Sequence, residues 1–200
     1  MITYIIIGIT VITSLMAFNN QKLLSDLMFN AYVIDQRKQY FRFVSSGLIH
    51  ADLGHLFFNM FTLYFFGTAV ENSFRVMFPE MASTLYILLY ISGLIMSSLF
   101  SFFKHKENPH YNALGASGAV SAILFCSIMI YPTMGISIYF LPGIPAYIFG
   151  PLYLMYCVYM AKRGMDNIGH EAHFFGAVWG ILYIVVLHHQ VLPRFFEQIF

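Results

Sequence analysis

Apolar residues fall into six long runs, at about 2–18, 53–70, 83–103, 113–131, 144–161 and 172–189. A helix that crosses the hydrocarbon core of a bilayer needs about 20 predominantly apolar residues. Each run is close to that length. Polar breaks separate the later ones at 71–80, 104–112, 132–145 and 162–171. The pattern predicts an all-α membrane protein: six transmembrane helices joined by mostly short loops, forming one domain over 1–200. The longest connection, 19–50, mixes Leu27, Met28, Phe29, Tyr32 and Val33 with Asp26, Asp35, Arg37, Lys38 and Arg42. Such a mixture suits a segment lying in the membrane interface. No repeat of fixed period and no low-complexity tract divides the chain.

Composition agrees with the pattern. The 200 residues are 59% hydrophobic, 18% aromatic and only 10% charged, whereas soluble domains carry about a quarter charged residues. Most of the surface must therefore face something other than water. A net charge of +1 gives no basis for nucleic acid as a partner. Cys126 and Cys157 fall inside apolar runs and read as buried thiols. Met1-Ile2-Thr3-Tyr4 has neither a basic leader nor a cleavage site, so the first run reads as a retained helix. Six spans put the first, third and fifth loops on one side, with Lys22, Arg37, Lys38, Arg42, Lys104, Lys106, Lys162 and Arg163. The other side holds Arg75 and Arg194. Counting positive charges thus favours a cytoplasmic first loop.

Polar groups at membrane depth are costly and carry functional weight. The second run opens with His50-Ala51-Asp52-Leu53-Gly54-His55, and Asn59 follows one helical turn after His55. Residues four apart share a helix face, so His55 and Asn59 aim at one spot. His50 lies off that face and reads as a brace at the loop. Gly115-Ala116-Ser117-Gly118 stands near the start of the fourth run, amid further small residues. In the sixth run His173 shares a stripe with Gly176 and Gly180, the close-approach spacing of membrane helices. Taken singly, each of these groups reads as interhelical packing or hydrogen bonding. Together they supply a chemistry. A neutral imidazole takes the proton that makes a serine hydroxyl nucleophilic. Donors from His55, Asn59 and the Ser117 backbone N–H then stabilise the oxyanion. Asp166 and Glu171 read as loop residues, so no carboxylate orients His173 and a dyad is expected.

These motifs resemble the rhomboid family of intramembrane serine proteases. The matching pieces are Gly115-Ala116-Ser117-Gly118, Ala172-His173-xx-Gly176-xxx-Gly180 and His50-xxxx-His55-xxx-Asn59, with Arg42 before the second span and Glu71 at its end. They run in order from Arg42 to Gly180. The resemblance implies Ser117 as nucleophile and His173 as general base. It implies His55 and Asn59 at the oxyanion hole, and His50 in support. It also implies a compact six-helix bundle with a partly embedded first loop, in the plasma (inner) membrane, with the site opening to the outer side. Substrates would be single transmembrane helices entering laterally through lipid, cut without metal or cofactor. An outward first loop conflicts with the charge count. One position departs from the pattern: relatives often carry an aromatic residue four after the nucleophile, where this chain has Ser121. Phe174, Phe175 or an aromatic of the fifth span must then hold the His173 ring.

Other readings compete. His170-Glu171-Ala172-His173 superficially resembles the His-Glu-x-x-His zinc motif, but only two residues separate the histidines instead of three. An inactive rhomboid relative that binds membrane helices would typically lack the serine or the histidine, and both are here. Pro142, Pro145 and Pro151 around the fifth run fit a transporter's broken helix, or proline at a helix start. The aromatic series Phe57, Phe58, Phe61, Tyr64, Phe65 and Phe66 reads as lipid-facing or packing surface, or more sharply as a lateral substrate gate between the second and fifth spans.

Overall fold

A computed structural model describes residues 1–137, 143–163 and 169–200; Pro142 and Asp166 lie outside them. The described helices are α1 (Ile2–Phe18), α2 (Gln21–Leu27), α3 (Ala31–Arg37), α4 (Arg42–Ser45), α5 (Leu53–Thr62), α6 (Thr68–Met77), α7 (Ala82–His105), α8 (Ser117–Ile130), α9 (Ala146–Arg163), α10 (His170–Leu187) and α11 (Val191–Ile199). A two-residue antiparallel pair, β1 (Gly135–Ile136) with β2 (Ile144–Pro145), closes the turn between α8 and α9.

Helices α5 and α6 form one continuous rod over Leu53–Met77, joined by a wider π-helical turn at Leu63–Gly67. This rod, α7 and α10 are each long and apolar enough to cross a membrane. Helices α1, α8 and α9 fall on the other three apolar runs. Exposed Ile5, Ile9, Phe57, Phe61, Leu88, Leu152 and Leu182 give the bundle the apolar exterior that lipid requires.

The second helix runs seven residues past the expected end at 70. Glu71 reads as a break only while its partners are unseen. Its side chain is 1% exposed and accepts from the Ile2 and Thr3 amides at 2.8 and 3.0 Å, from Thr3 Oγ1 at 2.7 Å and from Arg75 at 2.8 Å. A carboxylate on the free amides of an α1 N-terminus satisfies those donors and the helix dipole together.

Helix α8 is the axis of the bundle, buried at every position from Gly118 to Ile130. Small residues let α7 and α10 approach it closely. A Cβ on Gly176 would run into the Gly118 carbonyl oxygen, and one on Gly180 into that of Ala122. Trp179 Nε1 donating to Ser92 Oγ (2.9 Å) and Tyr183 OH donating to the Leu85 carbonyl (2.7 Å) fasten α10 to α7.

The first connection is ordered. Asn20 and Asn30 cap α2 and α3 by accepting from Leu23 and Val33 amides, the usual N-cap bond. Phe29 exchanges two backbone hydrogen bonds of 3.0 Å with Ala113. Phe29, Ile34 and Phe43 pack against Leu99, Phe102 and Tyr111. Arg42 is buried and donates from Nη1 to the Ser25 and Met28 carbonyls, and from Nε to Gln39. The loop is thereby tied to the segment leading into Ser117.

Candidate active site

Ser117 is the first residue of α8, half-buried, and the turn before it is built from several directions. Gly115 has φ +113°, a region that residues with a Cβ avoid. Its amide donates to the Ser46 carbonyl at 2.9 Å. The His55 ring covers it so closely that a Cβ there would lie 2.6 Å from His55 Cε1. Both the backbone and the neighbouring ring therefore demand glycine.

His50 is fully buried beneath this turn. Ser14 Oγ donates to the Leu48 carbonyl at 3.0 Å and lies 3.0 Å from His50 Nδ1. A hydroxyl has one proton, so Nδ1–H donates to Ser14, and Nε2 accepts from the Ala116 amide at 3.3 Å. That tautomer is neutral. Burial, reinforced by nearby His55 and opposed by Asp52, pushes the His50 pKa down to about 3. The His50 and His55 rings meet edge to face at 4.9 Å. Asp52 caps α5 by accepting from the His55 amide at 2.8 Å. Asn59 is buried one turn on, with Nδ2 donating to the His55 carbonyl at 2.9 Å.

The opposite wall is α10. A Cβ on Gly118 would lie 3.6 Å from the Ala172 carbonyl oxygen, while Gly176 abuts Gly118. Gly118, next to Ser117, is thus packed against the backbone of α10 one turn from His173. The Tyr153 ring of α9 lies nearly parallel to the His173 ring, 17° between planes and 6.4 Å between centroids. Its hydroxyl shares a 3.2 Å hydrogen bond with Ser121 Oγ. Of the aromatics left open for holding His173, Tyr153 of the fifth run stacks on it among the described residues; Phe175 stacks on Phe100 and meets Phe174 edge-on. His170 presents its ring to His173 at 5.9 Å and to Tyr156 at 5.5 Å. Glu171, expected in a loop, belongs to the first turn of α10 and is ion-paired with Lys104. Ligating atoms of Cys157, His170 and His173 lie within 4.8 Å of one another, so the described residues include a set able to hold a metal.

Sequence reasoning missed Ser14 and Cys157 as neighbours of this region, and reached Tyr153 only as an unnamed aromatic of the fifth span. Ser14 had a signal: Thr3, Thr10 and Ser14 form one polar stripe on an otherwise apolar helix, and all three are fully buried. The contacts of Tyr153 and Cys157 depend on how α9 meets α10, which no local pattern encodes.

Comparison with known proteins bears on this geometry. The chain is 28% identical over 177 residues to the RHOMBOID-like protein 12, mitochondrial, of Arabidopsis thaliana, covering 80% of this chain and 50% of that protein. It is 27% identical over 145 residues to the presenilin-associated rhomboid-like protein, mitochondrial, of Rattus norvegicus, covering 71% of this chain and 37% of the relative. The chain thus spans half or less of the curated relatives it matches. Their names are mitochondrial, which overturns the plasma-membrane location expected from the sequence. The family model described as Rhomboid domain matches residues 37–190, more than half of the length and every motif named above, and the chain belongs to the rhomboid family.

Proposed function

We propose that this chain is an intramembrane serine endopeptidase that cuts single-span membrane proteins. In this reading α1, the α5–α6 rod, α7, α8, α9 and α10 form six membrane crossings, and the ordered first connection is partly embedded beside them. Ser117 attacks the scissile carbonyl while His173 takes its proton. His55, the Ser117 amide and the second N–H of the Asn59 amide receive the oxyanion. The imidazolium of His173 then protonates the leaving amine, and water, deprotonated by the same ring, hydrolyses the acyl-enzyme. Tyr153 holds the ring that performs these transfers.

The observation that supports this reading is the backbone contact of Gly118 with Gly176, because it packs the two helices together one residue from Ser117 and one turn from His173. Depth follows from length. Helix α8 has 14 residues, about 21 Å at ~1.5 Å each, against a hydrocarbon core of about 30 Å. A helix that short leaves at least one end inside the hydrocarbon; in this reading that end is the N-terminus, where a substrate helix entering laterally would present its backbone. The exposed Phe57, Phe58, Phe61 and Phe65 face is the surface such a helix would pass. The names of the relatives support a mitochondrial membrane as the setting.

The test is cleavage of a single-span substrate by detergent-purified protein. The wild type cleaves, while Ser117→Ala and His173→Ala do not. Cleavage that survives both substitutions would defeat the assignment.

A further inference from the structure

We propose that Cys157, His170 and His173 form an inhibitory site for a borderline-soft divalent cation, of which Zn²⁺ fits best. The inhibition rests on the protease reading above; the binding does not.

His170 and His173 stand three apart on α10 and so share a face, and Cys157 comes from the adjoining α9. Their ligating atoms already lie within 4.8 Å of one another. Donor atoms around tetrahedral zinc are separated by about 3.3–3.7 Å, given bonds of about 2.0 Å to imidazole and 2.3 Å to thiolate. The set needs to close by roughly 1 Å, within the reach of small side-chain rotations. One thiolate and two imidazoles select Zn²⁺ over hard cations such as Mg²⁺ and Ca²⁺, which prefer oxygen ligands. Three protein donors also suit a zinc that keeps a water in its fourth position. Cys157 is fully buried and His170 nearly so, so a bound ion would be little screened from its ligands by water.

The ion has routes in. A cleft of about 370 Å³ is lined by Cys157, Phe174, Lys104 and Glu171. A second, of about 190 Å³, is lined by His170, Ala172, Lys104 and Glu171. Both flank the Lys104–Glu171 ion pair at the polar ends of α7 and α10.

Binding replaces the thiol proton of Cys157 with the metal and releases that proton to solvent. The two imidazoles bind through neutral nitrogen lone pairs. The His173 lone pair spent on the metal is then lost to Ser117. The chemistry is a reversible block, with no change in oxidation state.

The experiment uses the full chain in detergent, with Co²⁺ as a coloured stand-in for Zn²⁺. In the Ser117→Ala background, Co²⁺ alone should give a thiolate-to-cobalt charge-transfer band and tetrahedral visible bands at one equivalent, bleached by Zn²⁺. Cys157→Ala should remove the charge-transfer band, and His170→Ala should weaken binding at least tenfold. Cys126→Ala, the other buried thiol, should change nothing. In the Ser117-intact protein, Zn²⁺ should inhibit cleavage reversibly, with EDTA restoring it, and Cys157→Ala or Cys157→Ser should raise the inhibitory concentration at least tenfold. No thiolate band, or a band that persists in Cys157→Ala, overturns the site. Binding that leaves cleavage unaffected, or inhibition equal in wild type and Cys157→Ala, overturns the switch. If the metal-free protein shows no cleavage at all, the protease reading fails while the cobalt titration still decides the site.

Discussion

Asn59 and Tyr153 show how the same region is read differently from sequence and from contacts. The Asn59 position follows from the helical spacing to His55, whereas its bond to the His55 carbonyl appears only in three dimensions. Asn59→Ala should slow turnover by about tenfold to a thousandfold, the range for an oxyanion donor, measured as kcat on a single-span substrate. Tyr153→Ala should lower kcat about tenfold or more with KM nearly unchanged, because in the proposed mechanism the ring it frees acts in proton transfer. Tyr153→Phe keeps the stack, loses the hydroxyl's hydrogen bonds to Ser121 and Cys157, and should fall by a few-fold at most. Equal losses in both would assign Tyr153 to packing alone.

His50 makes a further residue-scale prediction. Its folded pKa of about 3 lies below its ordinary 6.5, so the unfolded chain binds a proton that the folded one refuses. Stability is therefore full above pH 6.5 and falls as pH drops toward 3. Thermal unfolding in detergent should show that decline. His50→Gln, less stable at pH 7, should show a shallower one.

Among the elements, the contact between α8 and α10 decides the most. Gly176→Ala drives a methyl group into the Gly118 carbonyl, so one helix must shift; overpacking of this kind costs about 1–3 kcal/mol, and cleavage should be lost with it. Gly8 has nothing within 4 Å of its missing Cβ, so Gly8→Ala should be neutral or stabilise α1 by up to about 1 kcal/mol. Comparing the two melting temperatures checks the claim. The helices themselves were the readable part of the sequence, because lipid forces backbone groups into unbroken helices and leaves long apolar runs. Their ends were less readable. Glu71 looked like a terminus since its partners, the Ile2 and Thr3 amides, are nearly seventy residues away. Helix α11 was not expected, although Val191, Phe195 and Ile199 repeat every four residues on one face.

For the whole molecule, the sequence placed four polar groups on three helices but carried no information on how those helices pack. The glycines at 118, 176 and 180 hinted at close approach, and the structure shows whose backbone each one meets. Ser121 offers the opposite case. Read alone, it was a missing aromatic; with α9 in place it is the hydrogen-bond partner of the aromatic that stands on His173. His170 was set aside because its spacing to His173 fails the zinc motif, and the third donor came from another helix. In the proposed mechanism, reactivity at Ser117 depends on this whole assembly. A fluorophosphonate probe, with the adduct located by peptide mass spectrometry, measures that reactivity most directly. The account predicts one adduct, on Ser117, abolished by His173→Ala and by heat unfolding. Labelling that is absent, or that persists undiminished in His173→Ala, would contradict it.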